Sequence, residues 1–330
     1  MSWKACLCAL AAVAAWSVYP ALADDQCPPL KVMASFNLTF TKNGTPLVPV
    51  TVNGHQVNFV LGTNIAVTSI SFRFAQELDL HREYMTHTRF VTSGGQLMPE
   101  LATMNDFELG PLKAENVRVL LEPAQPTTAQ LPPGAPVGTL GADFLRPYDV
   151  DIDFAAGKMN LISRDHCVDR FLYWKATTVA KLPMTVGDDN RIYFPMTLDG
   201  HEFEARLNTS SPMSTIKDTT AKQVFNVDGD SSDNTQLGTF PDGSKIYAHQ
   251  FKSLTAEGLV IANPKLVLMQ SKADQYIEGK RDLWRPRMLN PDMQPDLTLG
   301  MSELKHLHIY IDYHHQTIYL TPSENNSAPS

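Results

Sequence analysis

Phe59-Val60-Leu61-Gly62-Thr63-Asn64 and Ala205-Arg206-Leu207-Asn208-Thr209-Ser210 are two versions of one phrase, an apolar run that breaks into a turn at a threonine. Just upstream, Val52-Asn53-Gly54-His55-Gln56-Val57 matches Leu198-Asp199-Gly200-His201-Glu202-Phe203. The offset of 146 residues that carries Gly54 onto Gly200 also carries Gly62 onto Asn208. One offset shared by two phrases marks an internal duplication, so the chain reads as two copies of one unit.

Working outward, apolar runs flank the Asn53-Gly54 and Asp199-Gly200 pairs, which is the pattern of a β-hairpin. A short helix is expected next in each copy. Ser71 can cap one that buries Phe74, Ala75 and Leu78, and Asp218 one that buries Ala221, Val224 and Phe225. Gly94-Gly95 and Asp242-Gly243 then give turn chemistry between extended runs. Each copy closes on an apolar-glycine phrase and a strand. These are Thr139-Leu140-Gly141 into Val150-Asp151-Ile152-Asp153-Phe154, and Thr298-Leu299-Gly300 into Ile309-Tyr310-Ile311-Asp312-Tyr313. Proline-rich stretches, Glu122 to Val137 and Lys280 to Asp296, precede both closing phrases. Proline lacks the N–H that a central strand needs, so both are expected to be ordered loops.

The 330 residues suffice for one large domain or two ordinary ones, and 43% hydrophobic content supports a sizeable core. A net charge of -8 gives no bulk support for nucleic-acid or anionic-membrane binding, so neither is expected. Lys4, the apolar run Ala5 to Val18 and Ala21-Leu22-Ala23 read as a secretory signal peptide over residues 1–23. The later chain has no apolar run long enough to span a bilayer, so no membrane insertion is expected. Cys27 and Cys167 remain after Cys6 and Cys8 leave with the leader. In an oxidising compartment an even pair suggests a bridge, here closing 140 residues; two free buried thiols are the alternative. The remaining divisions are a first lobe over 24–165, a joint over 166–180, a second lobe over 181–322 and a tail over 323–330.

Both copies resemble the retropepsin-like unit of the aspartic proteases: a hairpin, an Asp-Thr-Gly turn after two apolar residues, a helix, a flap hairpin and a closing Leu-Gly phrase. The resemblance covers roughly residues 31–322. It implies an all-β fold with short helices, in which two tandem acid-protease lobes in one monomeric chain enclose a central cleft. It also implies that Thr63 and Thr209 hydrogen-bond across the lobe interface, and that Asp143 makes a local structural hydrogen bond. The catalytic pair that the family places in the two turns shares one proton. Here those positions hold Gly62 and Asn208, and Asn64 and Ser210 stand where the family has glycine. A glycine has no proton acceptor and an amide is no general base. By analogy, the turns at Gly94-Gly95 and Asp242-Gly243 are flap candidates. Arg281, Trp284, Arg285 and Arg287 then become candidate cleft-wall anchors, weighed against a solvated loop with one packed Trp.

Other constellations are weaker. His306, His308, His314 and His315 could suit a metal, but an exposed polar face beside Ile309, Ile311 and Ile318 is the plainer reading. Asp228-Gly229-Asp230-Ser231-Ser232-Asp233 lacks the glycine and terminal glutamate of a calcium loop. No metal or cofactor is therefore expected. The leading expectation is a secreted, periplasmic protein that is catalytically inactive and binds an extended peptide or protein segment by strand addition. The alternatives are an active aspartic endopeptidase with a non-standard acid, and a structural envelope protein with a relic cleft.

Overall fold

The computed structural model describes residues 28–86, 90–91, 97–124, 132–167, 173–187, 190–239, 243–269 and 295–323. The fold is two-lobed and mostly β. An eight-stranded sheet is built from the first copy and a ten-stranded sheet from the second, and a six-stranded sheet takes three strands from each. Its order is Val32–Asn37, Lys158–Ile162, Asp149–Asp153, Leu307–Asp312, Thr317–Pro322 and Ala180–Pro183. The lobes meet in its middle, where Val150 pairs with Ile311 and Ile152 with Ile309.

The duplicated hairpins form in register. Pro46–Val52 pairs with His55–Leu61 and Ile192–Leu198 with His201–Leu207. Asn53 and Asp199 take positive φ in the two tight turns, at 48° and 45°, as short polar side chains can. In each lobe the closing strand then inserts between two earlier ones. Pro136–Leu140 lies between His55–Leu61, to which it is parallel, and Ser69–Ile70, to which it is antiparallel. Leu297–Leu299 lies likewise between His201–Leu207 and Thr215–Lys217. Leu61 faces Leu140 and Leu207 faces Leu299, so each turn leaves its sheet at the same rung. The glycine after each closing strand is a packing requirement. A Cβ on Gly300 would lie 2.3 Å from the Met213 carbonyl oxygen, and one on Gly141 2.8 Å from the Thr68 amide nitrogen.

Among the described residues four short helices fill the corners: α1 (Phe72–Glu77), α2 (Ala142–Leu145), α3 (Asp218–Phe225) and α4 (Met301–Leu304). Ser71 caps α1 through its hydroxyl and the Phe74 N–H, and Phe74 and Ala75 are buried. In α3 the expected assignment shifts by one residue. Lys217 is the cap, Asp218 is the first helical residue, and its carboxylate accepts from the Thr219 N–H. Thr220 and Ala221 are buried, whereas Val224 lies on the exposed side. The core residues Phe59, Leu61, Leu140, Ala205, Leu207 and Leu299 are fully buried. Each large apolar side chain among them stabilises the fold by about 1.5–3 kcal/mol, which anchors the strands that carry the two turns in the core.

Two further expectations need correction. Pro136 belongs to a strand rather than a loop, at its first residue, where proline costs least. His308 is not on an exposed face. It stacks on Trp174 with ring centroids 3.9 Å apart and binds Asp151 at 2.5 Å. The joint explains the change. His166 and Trp174 fold back over the polar side of the six-stranded sheet and bury Asp149, Asp151, His308, Tyr310 and Asp312.

Candidate functional site

The site is built where the two turns leave their sheets. The Gly62 N–H donates to the Leu140 carbonyl and the Asn208 N–H to the Leu299 carbonyl, both at 2.9 Å. These bonds aim the next residue of each turn at the other lobe. Thr63 and Thr209 are each fully buried there and hydrogen-bond reciprocally. The Thr63 N–H donates to Thr209 Oγ1 at 3.1 Å, and the Thr209 N–H to Thr63 Oγ1 at 3.2 Å. The hydroxyls reach further. Thr209 Oγ1 donates to the Leu61 carbonyl at 2.6 Å and Thr63 Oγ1 to the Leu207 carbonyl at 3.3 Å. Four hydrogen bonds thus lock the last rungs of the two lobes together, in a setting where an unpaired group is costly. Arg191 adds a fifth crossing, from its Nε to the Asn64 carbonyl at 3.1 Å.

Asp143 does not stand in for an acid at the turns. Asp143 sits one turn behind the site, where both oxygens accept from the Thr68 N–H at 3.0 Å and Oδ1 accepts from the Thr68 hydroxyl at 2.7 Å. Thr68 Oγ1 in turn accepts from the Gly141 N–H. The second lobe repeats this device with Ser214 and Glu303, and Ser214 Oγ accepts from the Gly300 N–H at 2.8 Å. Burial pushes the Glu303 carboxyl above its ordinary range, against the hydrogen bonds from Ser214 and Ser302. Sequence reading overlooked Glu303, because the closing-strand offset carries Asp143 onto Ser302 and not onto Glu303.

The two turns differ in what surrounds the missing carboxylates. A Cβ built on Gly62 would lie 2.8 Å from Ile65 Cγ1 and 2.8 Å from Thr139 Cγ2. Real Cβ atoms do not tolerate such distances, so the space is closed by hydrocarbon. Asn208 is half-buried, and its Oδ1 accepts from the Ser210 N–H at 3.1 Å and the Ser210 hydroxyl at 2.8 Å. Ser211 is committed as well, through its hydroxyl to the Met213 carbonyl at 2.7 Å. Asn64, at the place of Ser210, has a buried Oδ1 without a partner.

Gly243 has a φ of 87° just ahead of Lys245–Gln250, which pairs with Thr235–Thr239. Phe90–Val91 pairs with Leu97–Met98 around the first flap candidate. Gly94, Gly95, Asp242, Arg281, Trp284, Arg285, Arg287 and Cys27 lie outside the described residues. Cys167 is disulfide-bonded. A cavity of about 520 Å³ lies away from the turns. It lies at the far end of the His55–Leu61 strand, between Gln56, Asn58, Arg73, Glu77 and Gly134. Among the described residues no His, Cys, Asp or Glu group could hold a metal, and no helix is long and apolar enough to cross a membrane.

Residues 48–144 match the family model described as aspartyl protease. Aspartic proteinase from Irpex lacteus superposes with a TM-score of 0.51 at 12% identity, covering 89% of this chain and 98% of that one. The chain has an aspartic-proteinase fold. Conglutin gamma, a unique basic 7S globulin from lupine seeds, superposes on this aspartic-proteinase fold with a TM-score of 0.50 at 11% identity, covering 89% of this chain and 95% of that one. No curated protein matches in sequence.

Proposed function

We propose that this protein is a secreted, periplasmic, catalytically inactive relative of the aspartic proteases that holds an extended peptide or protein segment between its lobes without cutting it. One observation carries the reading. The threonine bridge that fixes the base of the site is complete, while neither turn supplies a carboxylate and the Gly62 position has no room for one. A shared proton between two acids is what lets this fold activate water, and Asn208 cannot replace either acid.

Secretion rests on the leader-like residues 1–23, and a monomer suffices because both turns come from one chain. We pair Cys167 with Cys27, the other cysteine that remains after such a leader is removed. A bridge over that span would stabilise the fold by roughly 4–5 kcal/mol in chain-entropy terms.

The test is capture. End-blocked random octapeptides are passed over the immobilised protein, and whatever elutes is weighed by mass spectrometry. Recovery of full-length peptides enriched in a subset of sequences supports the reading. No enrichment, or elution of fragments, contradicts it.

A further inference from the structure

Three donor side chains from distant parts of the sequence meet where the six-stranded sheet joins the lobes. Tyr313 follows the Leu307–Asp312 strand of the second lobe, and its N–H donates to Asp149 Oδ1 of the first lobe at 3.0 Å. Only 6% of Tyr313 is exposed. Arg164 follows the Lys158–Ile162 strand, and its Cζ lies 5.9 Å from the centroid of the Tyr313 ring. Arg146 ends α2 and donates to Asn190 Oδ1 of the second lobe at 2.6 Å. Burial raises the pKa of the Tyr313 hydroxyl, against the positive charges of Arg164 and Arg146, so both cations act on that one group. Tyr313 Oη and Arg164 Nε are buried and have no hydrogen-bond partner, which is costly for any donor. Among the described residues neither arginine pairs with a carboxylate, although the chain carries a net charge of -8. Asp149, the acid facing Tyr313, is taken up by the Tyr313 N–H, His166 and Tyr310.

We propose that Tyr313, Arg164 and Arg146 bind a small, doubly charged oxyanion of the phosphate or sulfate class. The chemistry selects the ligand. All three groups donate and two carry positive charge, so a cation is repelled. A water can accept from the hydroxyl but leaves both guanidinium charges unanswered, and a monocarboxylate answers one. A tetrahedral dianion answers both, and its oxygens match the planar fork of each guanidinium. Arg146 is exposed and Arg164 half-buried, so the arginine side of the cluster meets solvent. Tyr313 Oη and Arg164 Nε are the buried donors at its inner end. An anion held there touches the first lobe through the arginines and the second through Tyr313. It would therefore tie the docking of the lobes to the concentration of a small anion, whether or not a peptide is held between them.

Thermal unfolding of the whole protein tests this, with inorganic phosphate, sulfate, acetate or chloride at equal ionic strength and pH. At phosphate about tenfold above its dissociation constant, the melting temperature of the wild type should exceed that in chloride by about 3 °C. Tyr313→Phe keeps the ring under Arg164 and removes only the hydroxyl. In chloride it should melt at or above the wild type, because the lost group had no partner in the protein. In phosphate its gain should be smaller than that of the wild type. Arg146→Gln, at an exposed position that leaves the core untouched, should lose most of the gain, as should Arg164→Gln. An equal phosphate gain in the wild type and all three variants would show a general salt effect and overturn the site. So would a Tyr313→Phe protein that melts lower in chloride and responds to phosphate like the wild type, since its hydroxyl would then be satisfied by water. Stabilisation by acetate as large as that by phosphate would assign the cluster to a carboxylate and reject the dianion.

Discussion

The two turns of this molecule share one phrase, hang from the same rung of their sheets, and hold different non-acidic residues at the same position, Gly62 and Asn208. At the first turn the side chain is gone and the space is closed. Ile65 and Thr139 pack where a Cβ would stand, and Asn64 is left with a buried, unpartnered oxygen. At the second turn the shape of the acid is kept and its charge is removed. Asn208 holds the two hydrogen bonds from Ser210 that a carboxylate in its place could also accept. The threonines between them did not diverge. The lesson is that scaffold and chemistry are separable here. The groups that join the lobes form one hydrogen-bonded unit, while the residues at positions 62 and 208 differ between the two turns.

That contrast breaks most visibly under the same substitution. Gly62→Asp must push Ile65 and Thr139 aside and places a carboxylate against hydrocarbon, at a cost of about 3 kcal/mol. Asn208→Asp should change stability by no more than about 0.5 kcal/mol, since shape and accepted bonds persist. Urea unfolding of the two variants checks the difference. Equal costs would mean that the turns are equivalent in solution.

The threonines sharpen the comparison from the other side. Thr63→Val leaves the Thr209 N–H and the Leu207 carbonyl unpaired, and Thr209→Val does the same to the Thr63 N–H and the Leu61 carbonyl. Each should cost about 1–3 kcal/mol. Thr209→Val should be the worse of the two, because it also removes the 2.6 Å bond to Leu61, the shortest of the four. The double variant should fall short of the sum, since the residues share partners. Full additivity by thermal unfolding would show that the two do not act as one bridge.

The smallest effect belongs to the buried polar layer behind the turns. Burial lowers the affinity of His166 for its proton, but the hydrogen bond to the Cys167 carbonyl and the Asp149 carboxylate at 2.6 Å outweigh it, so its pKa is raised. Burial and the neighbouring Asp312 raise Asp149 too. Tyr310 and the Tyr313 N–H face the same carboxylate. A raised histidine pKa favours the folded state fully below the unfolded value of about 6.5. That contribution fades as pH rises through the folded value. The raised Asp149 acts in the same sense, favouring the fold as pH falls toward about 3.9. The melting temperature should therefore decline as pH rises past about 6.5, and His166→Gln should flatten the decline. An unchanged profile in the variant would remove His166 from the account.

How far the sequence was legible follows from this comparison. The 146-residue offset exposed the duplication, and the alternation around Gly54 and Gly200 gave the hairpins, because both signals are local. That neither turn carries an acid was also readable, since it needs only the identities of Gly62 and Asn208. The closure over Gly62 was not. Thr139 reaches it from a strand 77 residues away in the chain, placed by the parallel pairing of Leu61 with Leu140. The burial of Asp151 and His308 was hidden for the same reason. Their alternation marks one polar face, and only the return of Trp174 across it turns that face into an interior.

The most direct test of the central claim, an intact scaffold without its chemistry, is the mass of peptides incubated for days with the purified protein at about pH 3–5, where a proton-sharing pair would be active. The account predicts that every peptide is recovered whole. It also predicts that a variant carrying Gly62→Asp, Asn208→Asp and Ile65→Ala gains cleavage that requires both acids. Hydrolysis by the unmodified protein, blocked by a transition-state mimic of aspartic proteases, would contradict it.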